Sequence, residues 1–322
     1  MKIVITGGAG FLGSRLIRAL LAARGQNGVP EFDTITSVDL VPCPVADARV
    51  TSAVGDIANP AFAASVITPG TVAVYHMAAV LSGQSEAEFD TGMRVNLDGT
   101  RALLEAARAT GDVPRFVFSS SLAVFGGEMP EVVPETLALK PQSSYGAEKA
   151  IGEMLVCEYS RKGFVDGRVC RLPTIVVRPG KPNSAASSFA SGIIREPLAG
   201  IPSNNPVPPE TRMWLSSPDA AVANLVHAVA VSGDAIGADR VLNLPGLTVT
   251  VAEMLDSLER IAGPEVRALV AAEPEQRVID IVCSWPGAFD VTRPRALGFT
   301  ADADFDAVVR QYRDEFAPGV GA

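Results

Sequence analysis

Two side chains in this sequence have the types and spacing to move a proton. Tyr145 and Lys149 lie four residues apart within an amphipathic stretch, so a helix there brings them to one face. A free phenol titrates near pH 10, and ionising it at pH 8 requires about 2 units, or roughly 2.7 kcal/mol. A cation about 4 Å away contributes roughly 4 kcal/mol at an effective dielectric of about 20. Lys149 is thereby expected to lower the Tyr145 pKa. A phenolate so formed is suited to take the proton of an alcohol while hydride leaves the same carbon. Upstream, an apolar run from Phe116 to Phe118 ends in Ser119, Ser120 and Ser121. A serine there can orient the reacting oxygen; the alternative is a strand end that satisfies its own backbone.

Such a pair needs an oxidant, and the N-terminus points to one. The apolar strand Ile3-Val4-Ile5 runs into Thr6-Gly7-Gly8-Ala9-Gly10-Phe11-Leu12-Gly13, followed by a helical pattern with Leu16, Ile17, Leu20 and Leu21 on one face. In a strand-turn-helix setting, Gly7, Gly10 and Gly13 permit the tight turn, the approach of a pyrophosphate and close helix–strand packing, while the Phe11, Leu12 and Gly13 amides open the helix. The next predicted strand, Thr34–Val38, ends at Asp39, 39 − 13 = 26 residues beyond the last motif glycine. An acidic side chain there accepts hydrogen bonds from the adenosine ribose and repels the extra phosphate of NADP; Leu40 and Val41 supply no compensating cation. NAD is the expected cofactor.

Strands are predicted at Lys2–Ile5, Thr34–Val38, Arg49–Val54, Thr71–His76, Arg115–Ser119 and Arg168–Val177. Helical patterns stand between them, most clearly at Arg94–Ala109 and Tyr145–Arg161. This alternation predicts an α/β fold: a doubly wound parallel Rossmann-type sheet with a smaller C-terminal substrate lobe. Beyond residue 178, Pro179–Pro182 and Ile201–Pro209 read as loops, and helical patterns resume at Ser187–Leu198, Pro218–Val231, Val251–Ile261 and Phe305–Phe316. A strand at Arg240–Leu244 is placed to return to the sheet. The expected division is a dinucleotide-binding domain of residues 1–178 and 213–245, and a substrate domain of 179–212 and 246–322.

The 322 residues carry a formal net charge of −9, which argues against nucleic acid or an anionic membrane surface as partner. No apolar run reaches the length of a membrane span, and the first strand begins at residue 2, leaving no room for a signal peptide. The 4 cysteines lack metal or redox spacing and suit a reducing compartment. A cytoplasmic protein is expected. The 2 histidines, His76 and His227, read as packed side chains, so no metal site is expected.

Taken together, Thr6–Gly13, Asp39, Gly55-Asp56-Ile57, His76-Met77-Ala78-Ala79, Asn96–Thr100, Ser121 and Tyr145 with Lys149 resemble the extended short-chain dehydrogenases, the NAD-dependent epimerase/dehydratase family. The resemblance implies that Asp56 and Ile57 flank the adenine and that Ala78 and Ala79 line the cofactor. It also implies that Asn96 steadies the cofactor-side loops, that Lys149 grips the nicotinamide ribose, and that Ser121 is the catalytic hydroxyl. Thr174 joins the cofactor contacts. Family dehydratases carry Asp and Glu after the catalytic hydroxyl; here Leu122 and Ala123 stand there, which argues against loss of water. Residues 171–197 resemble the D-erythronate dehydrogenase branch, implying oxidation of the C2 hydroxyl of a small sugar acid. The carboxylate of such a substrate needs a cation, and Arg178, Lys181, Arg195 and Arg212 are the candidates, with Arg178 and Arg212 preferred. Ser187 is a candidate for the substrate hydroxyls, and Ser188 beside it is a second; either can instead cap a helix. Relatives often pair through the two central helices, so a homodimer is expected. A sugar-nucleotide epimerase shares every cofactor residue and is the first alternative; a non-catalytic NAD(H)-sensing protein is the second.

Overall fold

Six of the strands anticipated from β-branched and aromatic runs are found, in a computed structural model that describes residues 1–180 and 187–320. They are β1 (Lys2–Thr6), β2 (Thr34–Asp39), β3 (Val50–Val54), β4 (Thr71–His76), β5 (Arg115–Ser121) and β6 (Asp166–Leu172). Six further strands follow: β7 (Thr174–Ile175), β8 (Ser203–Asn205), β9 (Arg212–Ser216), β10 (Val241–Asn243), β11 (Leu247–Thr250) and β12 (Val270–Ala272). The central parallel sheet has the order β10-β6-β5-β4-β1-β2-β3. Its winding reverses between β1 and β4, where Thr6 lies opposite His76 at the carboxyl ends. A doubly wound sheet opens a ligand crevice at this point.

Both faces of the sheet are covered, so its strands are apolar on both sides. On one face Ile3, Ile5, Tyr75 and Val117 pack with Leu16, Ile17 and Leu20 of helix Phe11–Ala23 and with Leu225 and Val229 of helix Pro218–Ala230. On the other, Val4, Val74, Phe116 and Phe118 pack with Leu103 and Leu104 of helix Gly99–Thr110 and Val156 of helix Ser144–Arg161. A separate core gathers Val176, Ile193, Ile194, Met213, Leu215, Met254, Leu258 and Val309. It is built around helices Ser188–Leu198, Val251–Ala262 and Phe305–Phe316 and the three-stranded sheet β11-β9-β7.

Two elements depart from expectation. The strand predicted over Arg168–Val177 is divided at Pro173: β6 stays in the central sheet, whereas β7 pairs with β9. Proline has no N–H to continue a ladder, so the chain leaves the sheet at that residue. The helix predicted over Arg94–Ala109 is likewise two pieces, a π-helical segment Met93–Asp98 leading into the α-helix Gly99–Thr110. β10 does rejoin the sheet, parallel to β6. Among the described residues, no helix is long and apolar enough to cross a membrane.

Candidate active site

The glycine turn joins β1 to helix Phe11–Ala23. Gly7 has φ +72°, and a Cβ on it would stand 2.8 Å from the Ala78 amide nitrogen. A Cβ on Gly13 would stand 2.1 Å from the Gly7 carbonyl oxygen, so the helix can sit this close only on glycine. Gly10 differs: its φ is −71°, and its nearest contact is the Gly7 oxygen at 3.2 Å. As the N-cap of the helix, Gly10 offers no side-chain cap, and the first turn contains no acidic residue. The Phe11, Leu12 and Gly13 amides therefore form the bare end of a helix dipole. Asp39 lies at the tip of β2, its Oδ2 accepting from the Ala9 N–H at 3.0 Å and its Oδ1 from the Leu40 N–H at 2.7 Å. Asp56 caps its own turn by accepting from the Ala58 N–H at 2.9 Å and pairs with Arg94. Ile57 is buried; Ala78 and Ala79 are partly exposed just past β4, and Thr174 is partly exposed where β7 begins.

Ser121, Tyr145 and Lys149 converge. Ser121 ends β5 and accepts from the Ala123 N–H at 3.2 Å, opening a 3-10 turn at Leu122–Val124. Tyr145 is in the first turn of helix Ser144–Arg161, which Ser143 caps by accepting from the Gly146 N–H at 3.1 Å. The Ser121 side chain acts on the Tyr145 phenol and favours its ionised form. The Lys149 ammonium, almost wholly buried, lies 5.6 Å from the Tyr145 ring and 4.8 Å from the Phe118 ring, and donates to the Ser119 carbonyl at 2.8 Å. Burial pushes Lys149 down to about 8, with Glu148 and Glu153 pulling the other way.

The tyrosine itself departs from the expected fall. Burial pushes Tyr145 up to about 12, helped by the Glu148 charge, and the groups that oppose this are the Ser121 side chain and the Arg178 charge. Arg178 is thus the sequence-predicted cation whose charge acts on Tyr145. Its backbone N–H donates to Ser191 Oγ at 3.1 Å and its carbonyl accepts from Arg195 at 2.8 Å, anchoring the segment to helix Ser188–Leu198. No carboxylate among the described residues forms an ion pair with Arg178. Arg195 is instead paired with Glu196 at 2.5 Å, and Arg212 lies in an exposed pair with Glu131 at 2.9 Å. Lys181 lies outside the described residues. Ser187 directly precedes helix Ser188–Leu198 and makes no capping bond with its side chain.

A buried polar chain links these parts. The Ala78 N–H donates to Thr6 Oγ1 at 3.2 Å, Thr6 meets His76 Nδ1 at 2.8 Å, and His76 Nε2 meets Thr100 Oγ1 at 2.8 Å. Because Thr100 donates its own proton to the Asn96 carbonyl at 2.6 Å, His76 carries hydrogen on Nε2 and accepts from Thr6 at Nδ1. Burial, helped by Lys149, pushes His76 down to about 3, consistent with a neutral ring that holds rather than transfers a proton. Asn96 sits in the π-helical segment, a deformation common at functional sites. It clamps Val80 from both sides, Oδ1 accepting from the Val80 N–H at 2.8 Å and Nδ2 donating to the Val80 carbonyl at 2.9 Å. Glu148 and Glu153 are the residues that sequence reasoning missed. Their signal was a carboxylate on a helix turn that also carries Lys149, at positions where an exposed face would place it in water.

The sequence matches the NAD dependent epimerase/dehydratase family over residues 3–243. The chain belongs to that family. It is 56% identical to a D-erythronate dehydrogenase of Cupriavidus necator, covering 98% of each chain. It is 45% identical to a D-erythronate dehydrogenase of Haemophilus influenzae, covering 97% of this chain and 98% of that one. Among solved structures, the crystal structure of a nucleoside-diphosphate-sugar epimerase from Agrobacterium tumefaciens superposes with a TM-score of 0.93 at 40% identity, covering 98% of this chain and 94% of that one.

The cofactor of this family member is NAD. The geometry suits it: the helix end left uncapped at Gly10 accommodates a diphosphate. Asp39, at the tip of β2 beside the glycine turn, is the carboxylate that would meet a ribose diol.

Proposed function

We propose that the chain oxidises the C2 hydroxyl of D-erythronate to 2-dehydro-D-erythronate. What carries this reading, beside the two relatives of that name, is the proximity of Arg178 to Tyr145. A small sugar acid presents a carboxylate next to the reacting carbon. A partly buried guanidinium that acts on the base, with no carboxylate of the described chain paired to it, can hold that group bidentately. Ser121 holds the C2 oxygen, and Tyr145 takes its proton. Lys149 contributes charge and binds the nicotinamide ribose. When bound, oxidised nicotinamide accepts the hydride and adds a positive charge to the pocket. With Ser121 and Arg178 already lowering Tyr145, that charge brings the phenol toward a working range. The remaining assignments belong to the same proposal: Gly7, Gly10–Gly13, Asp39, Asp56, Ile57, Ala78, Ala79, Asn96 and Thr174 toward NAD, and Ser187 toward the substrate hydroxyls.

The two-part division of the chain is proposed with it. Separate cores support the division, although Met213 and Leu215 of β9 pack into the second core. A homodimer is proposed on the outward-facing Ile151 and Met154 of helix Ser144–Arg161, 38% and 63% exposed. The cytoplasm is the proposed location.

Purified protein incubated with NAD and a series of four- to six-carbon aldonates should produce NADH fastest with D-erythronate. Absence of turnover with every 2-hydroxy aldonate refutes the substrate. Tyr145→Phe should reduce kcat by about 10²–10⁴-fold with NAD affinity unchanged, since general-base catalysis contributes that much. The solved epimerase at 40% identity favours a second reading, in which hydride returns to the same sugar. Interconversion of UDP-sugars without net NADH would support it.

A further inference from the structure

Glu148 precedes Lys149 on the catalytic helix and is only 1% exposed. Its Oε2 accepts from Asn96 Nδ2 at 2.6 Å and from Ser85 Oγ at 3.1 Å. Its Oε1 is buried without a hydrogen-bond partner and lies against Gly92, where a Cβ would stand 2.3 Å away. A buried carboxylate is costly to maintain, more so with one oxygen unpaired. A structural tie alone needs only a neutral amide at this position. Through Asn96, whose Nδ2 also donates to the Val80 carbonyl at 2.9 Å, it reaches Val80 and so the loop that carries Ala78 and Ala79.

We propose that Glu148 is a positioning residue of the reaction: it ties the cofactor-facing loop 77–81 to the catalytic helix and sets the charge around Tyr145 and Lys149. The groups facing that pair come from every neighbouring element. Glu148 and Glu153 stand on the same helix, Ser121 ends β5, His76 ends β4, and Arg178 follows β7. Glu153 is already neutralised by Arg171 through bonds of 2.7 and 2.9 Å. Among the described residues Glu148 forms no such ion pair, and it acts on Lys149 more strongly than Glu153 does; it pulls Lys149 upward and Tyr145 upward as well. Removing it must move both titrations toward lower pH.

The assignment builds on Tyr145 as the base, but its test needs no substrate, so its failure is distinguishable from failure of the sugar-acid reading. The chain has five lysines (Lys2, Lys140, Lys149, Lys162 and Lys181), which makes carbon-13 lysine NMR of the protein without cofactor tractable, with Lys149→Arg providing the assignment. In Glu148→Gln the Lys149 midpoint should fall from about 8 by on the order of one unit. Glu148→Asp keeps the charge on a shorter arm: its Lys149 midpoint should match the wild type while its Kd for NAD rises several-fold. An unmoved midpoint in folded Glu148→Gln overturns the charge assignment, and unchanged NAD affinity in Glu148→Asp overturns the tie. Should Glu148→Gln not fold, Glu148→Asp decides, because a shifted midpoint or an unchanged Kd in that variant each contradicts the proposal.

Discussion

At the scale of single residues, the site separates charges that spacing alone could not rank. Four cations were candidates for a substrate carboxylate, and burial and pairing distinguish them. Arg195 is committed to Glu196 and Arg212 to an exposed Glu131, whereas Arg178 faces Tyr145. Charged hydrogen bonds contribute about 1.5–3 kcal/mol. Arg178→Ala should therefore raise KM for D-erythronate by about 10- to 100-fold, with Arg178→Lys rescuing little because an ammonium cannot match a planar fork. Arg212→Ala should remain within about twofold, as expected for an exposed pair worth about 0–1 kcal/mol. Steady-state kinetics on the two variants checks both; equal effects would return Arg212 to the site. Tyr145 gives the complementary lesson. Its four-residue spacing to Lys149 was legible, but the direction of its pKa was not, because burial is a property of the packed interior and not of the pair.

At the scale of elements, the catalytic geometry depends on how segments begin and end. Helix Ser144–Arg161 starts at the Ser143 cap one turn before Gly146, so that the cap fixes the turn carrying Tyr145. Ser143→Ala should lower stability by about 1 kcal/mol in urea unfolding. It should lower kcat more than it changes Kd for NAD, because fraying of the first turn displaces the phenol and leaves the glycine turn intact. The π-helical segment is an element feature that no hydrophobic period revealed: residues 94–109 read as one helix, and the extra residue per turn shows itself only through the bonds it makes. By contrast, the exit of the chain at Pro173 follows from a residue type present in the sequence, and the predicted strand ran past it only because the flanking residues are so strongly β-forming.

At the scale of the molecule, burial of ionisable groups at the site sets a pH dependence of folding. His76 is held neutral, its pKa lowered from 6.5 to about 3, so the unfolded chain binds more protons between those values and stability falls as pH drops through that window. Lys149 is lowered from 10.5 to about 8. The unfolded chain again binds more protons between these values, so this group's contribution rises as pH increases from about 8 toward 10.5. Urea midpoints measured from pH 3 to 7 should show the acid decline, and His76→Gln, a neutral residue that keeps a donor and an acceptor, should flatten it. An unchanged slope in that variant would remove His76 from the explanation.

The sequence by itself determined the sheet, the glycine turn, the acidic residue at the tip of β2 and the trio Ser121, Tyr145 and Lys149, because each depends on local chemistry: apolar period, backbone freedom, or a fixed helical offset. The tertiary structure decided what depends on residues far apart in the chain. It paired Arg195 and Arg212 with carboxylates and set the Arg178 charge to act on Tyr145, joined Glu148 to Asn96 across 52 positions, and made His76 a neutral link between β1 and helix Gly99–Thr110. Desolvation and long-range hydrogen bonds set those outcomes, and neither exists until the chain has closed around them.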